Sequence, residues 1–464
     1  MDPLPISRLA HFAGATIAAG DPATIISRIS TDSRTLQVGD LFVPIRGEHF
    51  DGHRFVSQAA ERGAAGALVE EGWSGEVPAG FALLRVPDTL LGYQDIAAGY
   101  RKSLRVKVIG ITGSNGKTST KDFVAAALGR RFRVTKTEGN FNNHIGLPRT
   151  ILEATAEHEI AVWELGMNHP GEIAPLALIA APDVAIITNI GIAHIEFIGS
   201  QEAIAQEKGA LAEAVDLTGT VILNADDRFS ASIASRTRAR IVLAGTNAGV
   251  VRAGDISQNA SGSEFTILEG AHRCRAQLPV PGLHMVQNAI LAVAAGRVFG
   301  LSLEECAAGL ATTPLTKARL QVREINGVQF LDDSYNANPE SMKAALRTLV
   351  ELETEGRRIA VLGHMGELGE QTERGHAEVG EAAAAFRIDQ LITIGELGAT
   401  ISRAAETAGL ENTSNVATTA EAAELLAESA SAGDLVLVKG SRSARTEAVM
   451  EAFGNLQSAT GTTR

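Results

Sequence analysis

At 464 residues the chain is long for a single core, and roughly 150 residues per domain predicts about three domains. Apolar types make up 45% and charged types 20%, the balance of a folded chain rather than a disordered one. The 41 Lys and Arg against 54 Asp and Glu leave a net charge of −13, a poor match for the backbone of a nucleic acid, although a local loop can still hold a small anionic nucleotide.

The two cysteines, Cys274 and Cys306, are too few and too far apart for a disulfide framework or a zinc cluster. The first residues, MDPLPISRLA, carry acid and proline where an export signal needs a basic patch and an apolar run. No uninterrupted apolar stretch reaches the roughly 18–20 residues of a membrane span. The expectation is a cytoplasmic monomer.

Strand-like runs alternate with helix-like stretches along the whole chain: Leu41–Ile45, Ala67–Glu70, Val106–Ile111, Ile160–Glu164, Val184–Thr188, Thr220–Leu223, Gln329–Leu331, Ile359–Leu362, Gln390–Ile394 and Leu435–Lys439. This alternation predicts an α/β fold with parallel sheets, and ligands beyond the carboxyl ends of the strands. Segment 250–283, rich in Gly, Ser and Thr and ending in Pro-Val-Pro-Gly, reads as a short antiparallel excursion. One seam follows the helical stretch Thr89–Tyr100, and another lies near Ala311–Lys317. The expected domains are 1–104, 105–313 and 314–464.

The strongest motif is Gly110-Ile111-Thr112-Gly113-Ser114-Asn115-Gly116-Lys117-Thr118, with an apolar strand before it and a helical stretch to Leu128 after it. Glycines let backbone N–H groups wrap a phosphate at the positive end of a helix, Lys117 can reach the β- and γ-phosphates, and the Thr118 hydroxyl can hold Mg²⁺. The spacing is the shorter G-x-x-G-K-T, with Ile111 where the longer pattern has its first glycine. ATP binding is the expectation.

Glu164 closes an apolar strand, where an acid either holds Mg²⁺ or is simply solvated. His194 follows another strand end and is open to a structural or a ligand role. Lys208 falls within the helical stripe of Ile204, Leu211, Ala212 and Val215, so it must snorkel, pair or be chemically modified. In the last third, Asp332 and Asp333 end a strand before a helix expected from about Ser341. Asp333 is open to gripping a ribose or an amine, or to capping that helix. Gly363–Glu367 and Lys439–Arg442 are further polar strand ends.

Taken together, these elements resemble the Mur ligases, the ATP-dependent amide-forming family of peptidoglycan precursor synthesis. The resemblance spans nearly the whole chain: Thr31–Arg34, Gly39–Val43, Asp51–His53, the phosphate loop, Gly139–Asn143 with Ile145–Pro148, Glu164–Gly166, His194, Gln287–Ala289, Ala318–Leu320 and Asp333-Ser334. Asp332–Pro339 and Val438–Arg442 are similar to the dipeptide-adding branch, and the Asp-Asn-Pro-Arg motif of the third-residue-adding branch is absent.

The resemblance implies a small α/β domain for the UDP-linked substrate, a central P-loop-type sheet and a Rossmann-like carboxy-terminal domain. It also implies an acyl-phosphate route joining D-Ala-D-Ala to a UDP-MurNAc-tripeptide. Thr112, Gly113, Ser114, Asn115, Gly116, Lys117, Thr118, Ser119, Asn288, Arg319 and Asp333 would contact ATP. Thr118, Glu164, His194 and Lys208, the last as a carbamate (N6-carboxylysine), would hold two Mg²⁺ ions. Lys117, Lys208 and His194 are the implied catalytic set. Ser33, Arg34, His49, Phe50, Asn142, Asn143, Tyr335, Asn336, Lys439 and Arg442 would contact the peptide substrates.

Met285 and His364 depart from the family's usual Asn and Asp. The alternatives are a third-residue-adding, folylpolyglutamate-like or cyanophycin-like ligase, or a non-catalytic ATP-binding switch.

Overall fold

The apolar runs assemble into three main sheets in the computed structural model, which describes residues 1–47 and 49–460. The first sheet has the order Thr16–Ala19, Ala82–Val86, Gly66–Glu70, Leu41–Phe42, Ile29–Ser30. Its first pair is antiparallel and the others are parallel. Helix Thr89–Ser103 is started by Asp88, whose carboxylate accepts from the Leu91 N–H at 2.9 Å. It buries Tyr93, Ile96, Ala97 and Tyr100. Its far end is stitched to the second sheet's layer, the Tyr100 hydroxyl donating to the Ala154 carbonyl at 2.7 Å and Arg101 Nε to the Ala180 carbonyl at 2.9 Å.

The central sheet runs Val134–Lys136, Ile160–Glu164, Lys107–Thr112, Val184–Ile187, Thr220–Asn224, Arg240–Gly245, all parallel. It continues into Val251–Asn259, Gly262–Glu269 and His272–Leu278, which meander antiparallel as residues 250–283 predict. Strand Lys107–Thr112 lies between one neighbour reached from each side. The loops after it, after Glu164 and after Ile187 therefore splay apart at one point of the sheet edge, the geometry that opens a ligand crevice. Helix Lys117–Leu128 leaves this point and packs on helix Leu283–Val298. The latter is buried over nearly its whole length, as its all-round apolar sequence requires.

The third sheet has the order Gln321–Ile325, Val328–Asp332, Leu435–Lys439, Arg358–Leu362, Gln390–Ile394, Thr413–Val416, parallel except for its first pair. Its helix Pro339–Glu351 begins two residues before Ser341, because proline suits the first helical turn. Asn338, not Asp333, caps it, accepting from the Ser341 N–H at 2.9 Å.

The segment entering this sheet is pinned to the central one. Thr316 donates from its N–H and its hydroxyl to Asp122 at 2.9 and 2.8 Å. Asp122 also takes Lys136 at 2.7 Å, while Lys121 lies 3.6 Å away and donates to the Thr137 carbonyl at 2.8 Å. Beyond the pin, Ala318 and Leu320 adopt left-handed backbone angles on either side of Arg319. Among the described residues no helix is long and apolar enough to cross a membrane.

Because Asp122 is fully buried between two lysines, Asp122→Ala leaves uncompensated charge in the interior. The expected cost is about 3–5 kcal/mol, read from guanidinium unfolding followed through the buried Trp163.

Candidate functional site

The phosphate loop is wound so tightly that side chains are excluded at its two glycines. Gly113 has φ +152°, and a Cβ there would lie 1.9 Å from Thr188 Oγ1; Gly116 has φ +79°, and its Cβ would lie 2.3 Å from Asn288 Oδ1. The turn after strand Val184–Ile187 holds the loop open. Ser114 and Asn115 donate their N–H groups to the Asn189 carbonyl and Asn189 Oδ1, both at 2.9 Å. The Thr188 hydroxyl donates to the Asn115 carbonyl at 2.5 Å, and the Gly191 N–H to Ser114 Oγ at 2.8 Å. Thr112 supports the loop from behind, its hydroxyl spent on the Leu165 carbonyl at 2.8 Å. Lys117 folds over the loop, its ammonium 2.8 Å from the Gly113 carbonyl. Burial pulls its pKa down, against the attraction of Glu164.

Across the loop stands Glu164, 2% exposed. One carboxylate oxygen accepts from the Thr118 hydroxyl at 3.0 Å and the other from Asn142 Nδ2 at 2.8 Å. A buried carboxylate beside a hydroxyl is an oxygen donor set that suits Mg²⁺. Arg319 reaches Thr118 Oγ1 at 3.4 Å and lies over the Tyr335 ring at 4.0 Å, while its buried Nε has no hydrogen-bond partner. That orphan donor points to an anion to be bound.

His194 adopts φ +65° and faces the same cavity. Its Nδ1 lies 2.6 Å from the Glu367 carboxylate, whose pKa that contact holds down. Lys208 is 1% exposed, and its ammonium forms no hydrogen bond or ion pair with the described residues. Burial, with Lys117 adding to it, holds its pKa well below the usual lysine range. It stands outside the cavity lining.

The third sheet supplies the opposite wall. Lys439 pairs with Asp333 at 2.5 Å and donates to the Asn336 carbonyl at 2.9 Å, both charged side chains being buried. His284 sits close enough to feel both, and burial pushes its pKa down to about 4. Arg442 reaches the cavity while held by Glu447 at 3.2 Å. The cleft between them has a volume of about 760 Å³ and is lined from both sides, by Ser114 to Ser119, Asn142, Asn143, Glu164, His194 and Asn288 on one and Arg319, Asp333, Tyr335, Asn336, Lys439 and Arg442 on the other.

Not every expected residue meets there. Ser33, Arg34, His49 and Phe50 lie on the first sheet's domain, outside this cavity. Arg34 is exposed and forked onto Asp32 at 2.9 Å, while Phe50 stacks on Phe55 with 5.6 Å between ring centres. Met285 is buried and lines the cavity; His364 turns to Ser443 Oγ at 2.9 Å instead. Residues that sequence reading did not single out are His284, Glu367 and the loop-bracing Asn189. Glu367 ends the polar stretch Gly363–Glu367, Asn189 follows the run Val184–Thr188 and His284 precedes Met285, but only contacts across the chain distinguish each from its neighbours.

Three family models match: the Mur ligase middle domain over 111–296, the Mur ligase glutamate ligase domain over 318–442, and the Mur ligase family catalytic domain over 25–80. The chain is 40% identical over 433 residues to the UDP-N-acetylmuramoyl-tripeptide–D-alanyl-D-alanine ligase of Bacillus subtilis, covering 92% of this chain and 93% of that one. It is similar to MurF from Acinetobacter baumannii, with TM-score 0.90, 32% identity and coverage of 98% and 99%. It is also similar to MurF of Thermotoga maritima in complex with ADP, with TM-score 0.83, 28% identity and coverage of 93% and 98%.

Since the turn after Ile187 leaves no space at residue 113, Gly113→Ala is expected to abolish ADP binding in titration calorimetry. It should also cost about 1–3 kcal/mol of stability from backbone strain and overpacking.

Proposed function

The chain belongs to the Mur ligase family, and from that premise we propose that it joins D-alanyl-D-alanine to UDP-N-acetylmuramoyl-tripeptide through an amide bond, at the expense of ATP. The observation that carries this reading is the two-sided cavity, in which a phosphate loop and a buried carboxylate face the cationic side chains of a second sheet. The 40% identity to a relative named for this reaction runs through all three sheets, which favours it over the other ligases of the family.

Residues 1–104 would hold the UDP-linked substrate, with Ser33, Arg34, His49 and Phe50 toward its nucleotide-sugar end. Residues 105–313 would hold ATP, and 314–464 the incoming dipeptide. On this reading the chain acts as a monomer, in the cytoplasm, where UDP-linked precursors are used.

In the first step the tripeptide carboxylate attacks the γ-phosphorus and ADP leaves. Both reactants are anions, so positioning and charge neutralisation supply most of the catalysis. Lys117, in a water-poor loop, and Arg319, with its unspent Nε, offset the charge of the γ-phosphoryl oxygens. Thr118 and Glu164 would hold Mg²⁺, which when bound neutralises phosphate oxygens, and His194 stands at the same wall. In the second step the dipeptide amine attacks the acyl carbonyl and phosphate leaves. Closure of the third sheet's domain excludes water that would otherwise hydrolyse the acyl phosphate. Lys439, Asp333, Asn336 and Arg442 line the side from which the amine arrives.

Lys208 is suited to carboxylation. An amine with a lowered pKa adds to CO₂, and a proton leaves as the carbamate forms. The product replaces a cation that has no partner with an anion able to support a second metal ion.

Phosphate release should require ATP, the UDP-linked tripeptide and D-Ala-D-Ala together. Turnover of ATP with neither peptide substrate would instead indicate a nucleotide switch, and activity with a free amino acid a different ligase. Lys117→Ala should lower kcat by roughly 10²–10³-fold with the circular dichroism spectrum unchanged, and chelation of divalent metal should stop turnover reversibly. Lys208→Ala should lose activity and regain part of it in short-chain carboxylic acids; full activity without them would reject the carbamate.

A further inference from the structure

The third sheet's domain meets the phosphate loop at Asn115 through Glu340 and Asn338, and at Thr118 through Arg319. Glu340, on the first turn of helix Pro339–Glu351, aims both oxygens at the Ile192 N–H, each at 3.1 Å. One of them also accepts from Asn115 Nδ2 at 3.4 Å. Asn338, the cap of the same helix, donates to Asn115 Oδ1 at 2.7 Å. Both ends of the Asn115 side chain are therefore occupied by this domain, while its backbone N–H and carbonyl are held by Asn189 and Thr188.

The fit has no slack, because a Cβ on Gly191 would lie 2.2 Å from Glu340 Oε2. Burial raises the Glu340 pKa, and the Ile192 N–H opposes that rise. The charge is therefore seated at a desolvation cost that its hydrogen bonds must offset.

Resting on the function proposed above, we infer that Glu340 is a positioning residue: it latches the dipeptide-side domain onto Asn115 and the Gly191–Ile192 turn, so that domain closure itself orients the phosphate loop. The contact exists only when the two sheets meet, so it acts in the closed arrangement of the domains. A hydrogen bond to a charged group contributes about 1.5–3 kcal/mol, or roughly 10–100-fold in rate.

The test uses the full chain with all three substrates. Glu340→Ala and Glu340→Gln should each lower kcat about 10–100-fold while KM for ATP and the ADP affinity stay near those of the parent. The amide of Gln fails because its NH₂ must face either the Ile192 N–H or the Asn115 amide. Gly191→Ala should reproduce the loss, yet add nothing when combined with Glu340→Ala, since the atom it strikes is then gone. In small-angle scattering with ADP and the UDP-linked tripeptide, Glu340→Ala should stay more open than the parent.

Parent-like kcat in Glu340→Ala, or equal and additive losses from Gly191→Ala in both backgrounds, would overturn the latch. So would a matched fall in kcat and ADP affinity with a lowered melting temperature, which marks a merely structural role. If the unaltered chain forms no amide bond, the proposed function fails instead, and the scattering comparison still decides the latch.

Discussion

The site rests on a strand-to-helix turn wound past the point where any Cβ fits. At Gly113 and Gly116 the space a side chain would take is already filled by Thr188 and Asn288. The turn's N–H groups therefore point where they do because a second loop, 188–191, holds the first from behind. Anion binding by backbone groups needs such rigidity, because loose N–H groups would reorient toward water instead. The reacting groups then gather around a fixed loop: Glu164 and Thr118 below it, Lys117 above it, Arg319 at its rim.

Charge is distributed against the average. The chain as a whole carries −13, yet Lys117, Lys208, Arg319 and Lys439 converge around one region, and burial weakens the hold of the three lysines on their protons. A local positive field inside an acidic protein draws an anionic nucleotide to one place without making the remaining surface attractive to polyanions. Three of these cations have different restraints: loop carbonyls for Lys117, a tyrosine ring for Arg319, a buried aspartate for Lys439. Lys208 has none among the described residues, and that isolation makes it the one suited to chemical modification.

Much of this was legible in the residues. Strands were readable because parallel strands buried on both faces are continuous apolar runs, and all ten predicted runs fall on observed strands. The antiparallel excursion was readable from its turn-forming residues, and the phosphate loop from its glycines. What could not be read was partnership across domains. Asp333 carried two readings at strand level; Asn338 takes the helix cap, and Asp333 pairs with Lys439, 106 positions away. Glu340 looked like any first-turn acid of a helix, a position where carboxylates are common for dipole reasons alone. Only the approach of residue 192 gives it another use. Helix Pro339–Glu351 begins two residues before the expected Ser341, because proline suits a first helical turn.

The pin between Thr316 and Asp122 limits travel in a way that domain boundaries do not convey. Arg319 lies three positions after Thr316, and a fully stretched leash of that length spans about 11 Å between Cα atoms. However far the remaining portion of the third sheet swings, this guanidinium stays on short rein beside the phosphate loop. Though it follows the seam in chain order, Arg319 is mechanically a tenant of the central sheet.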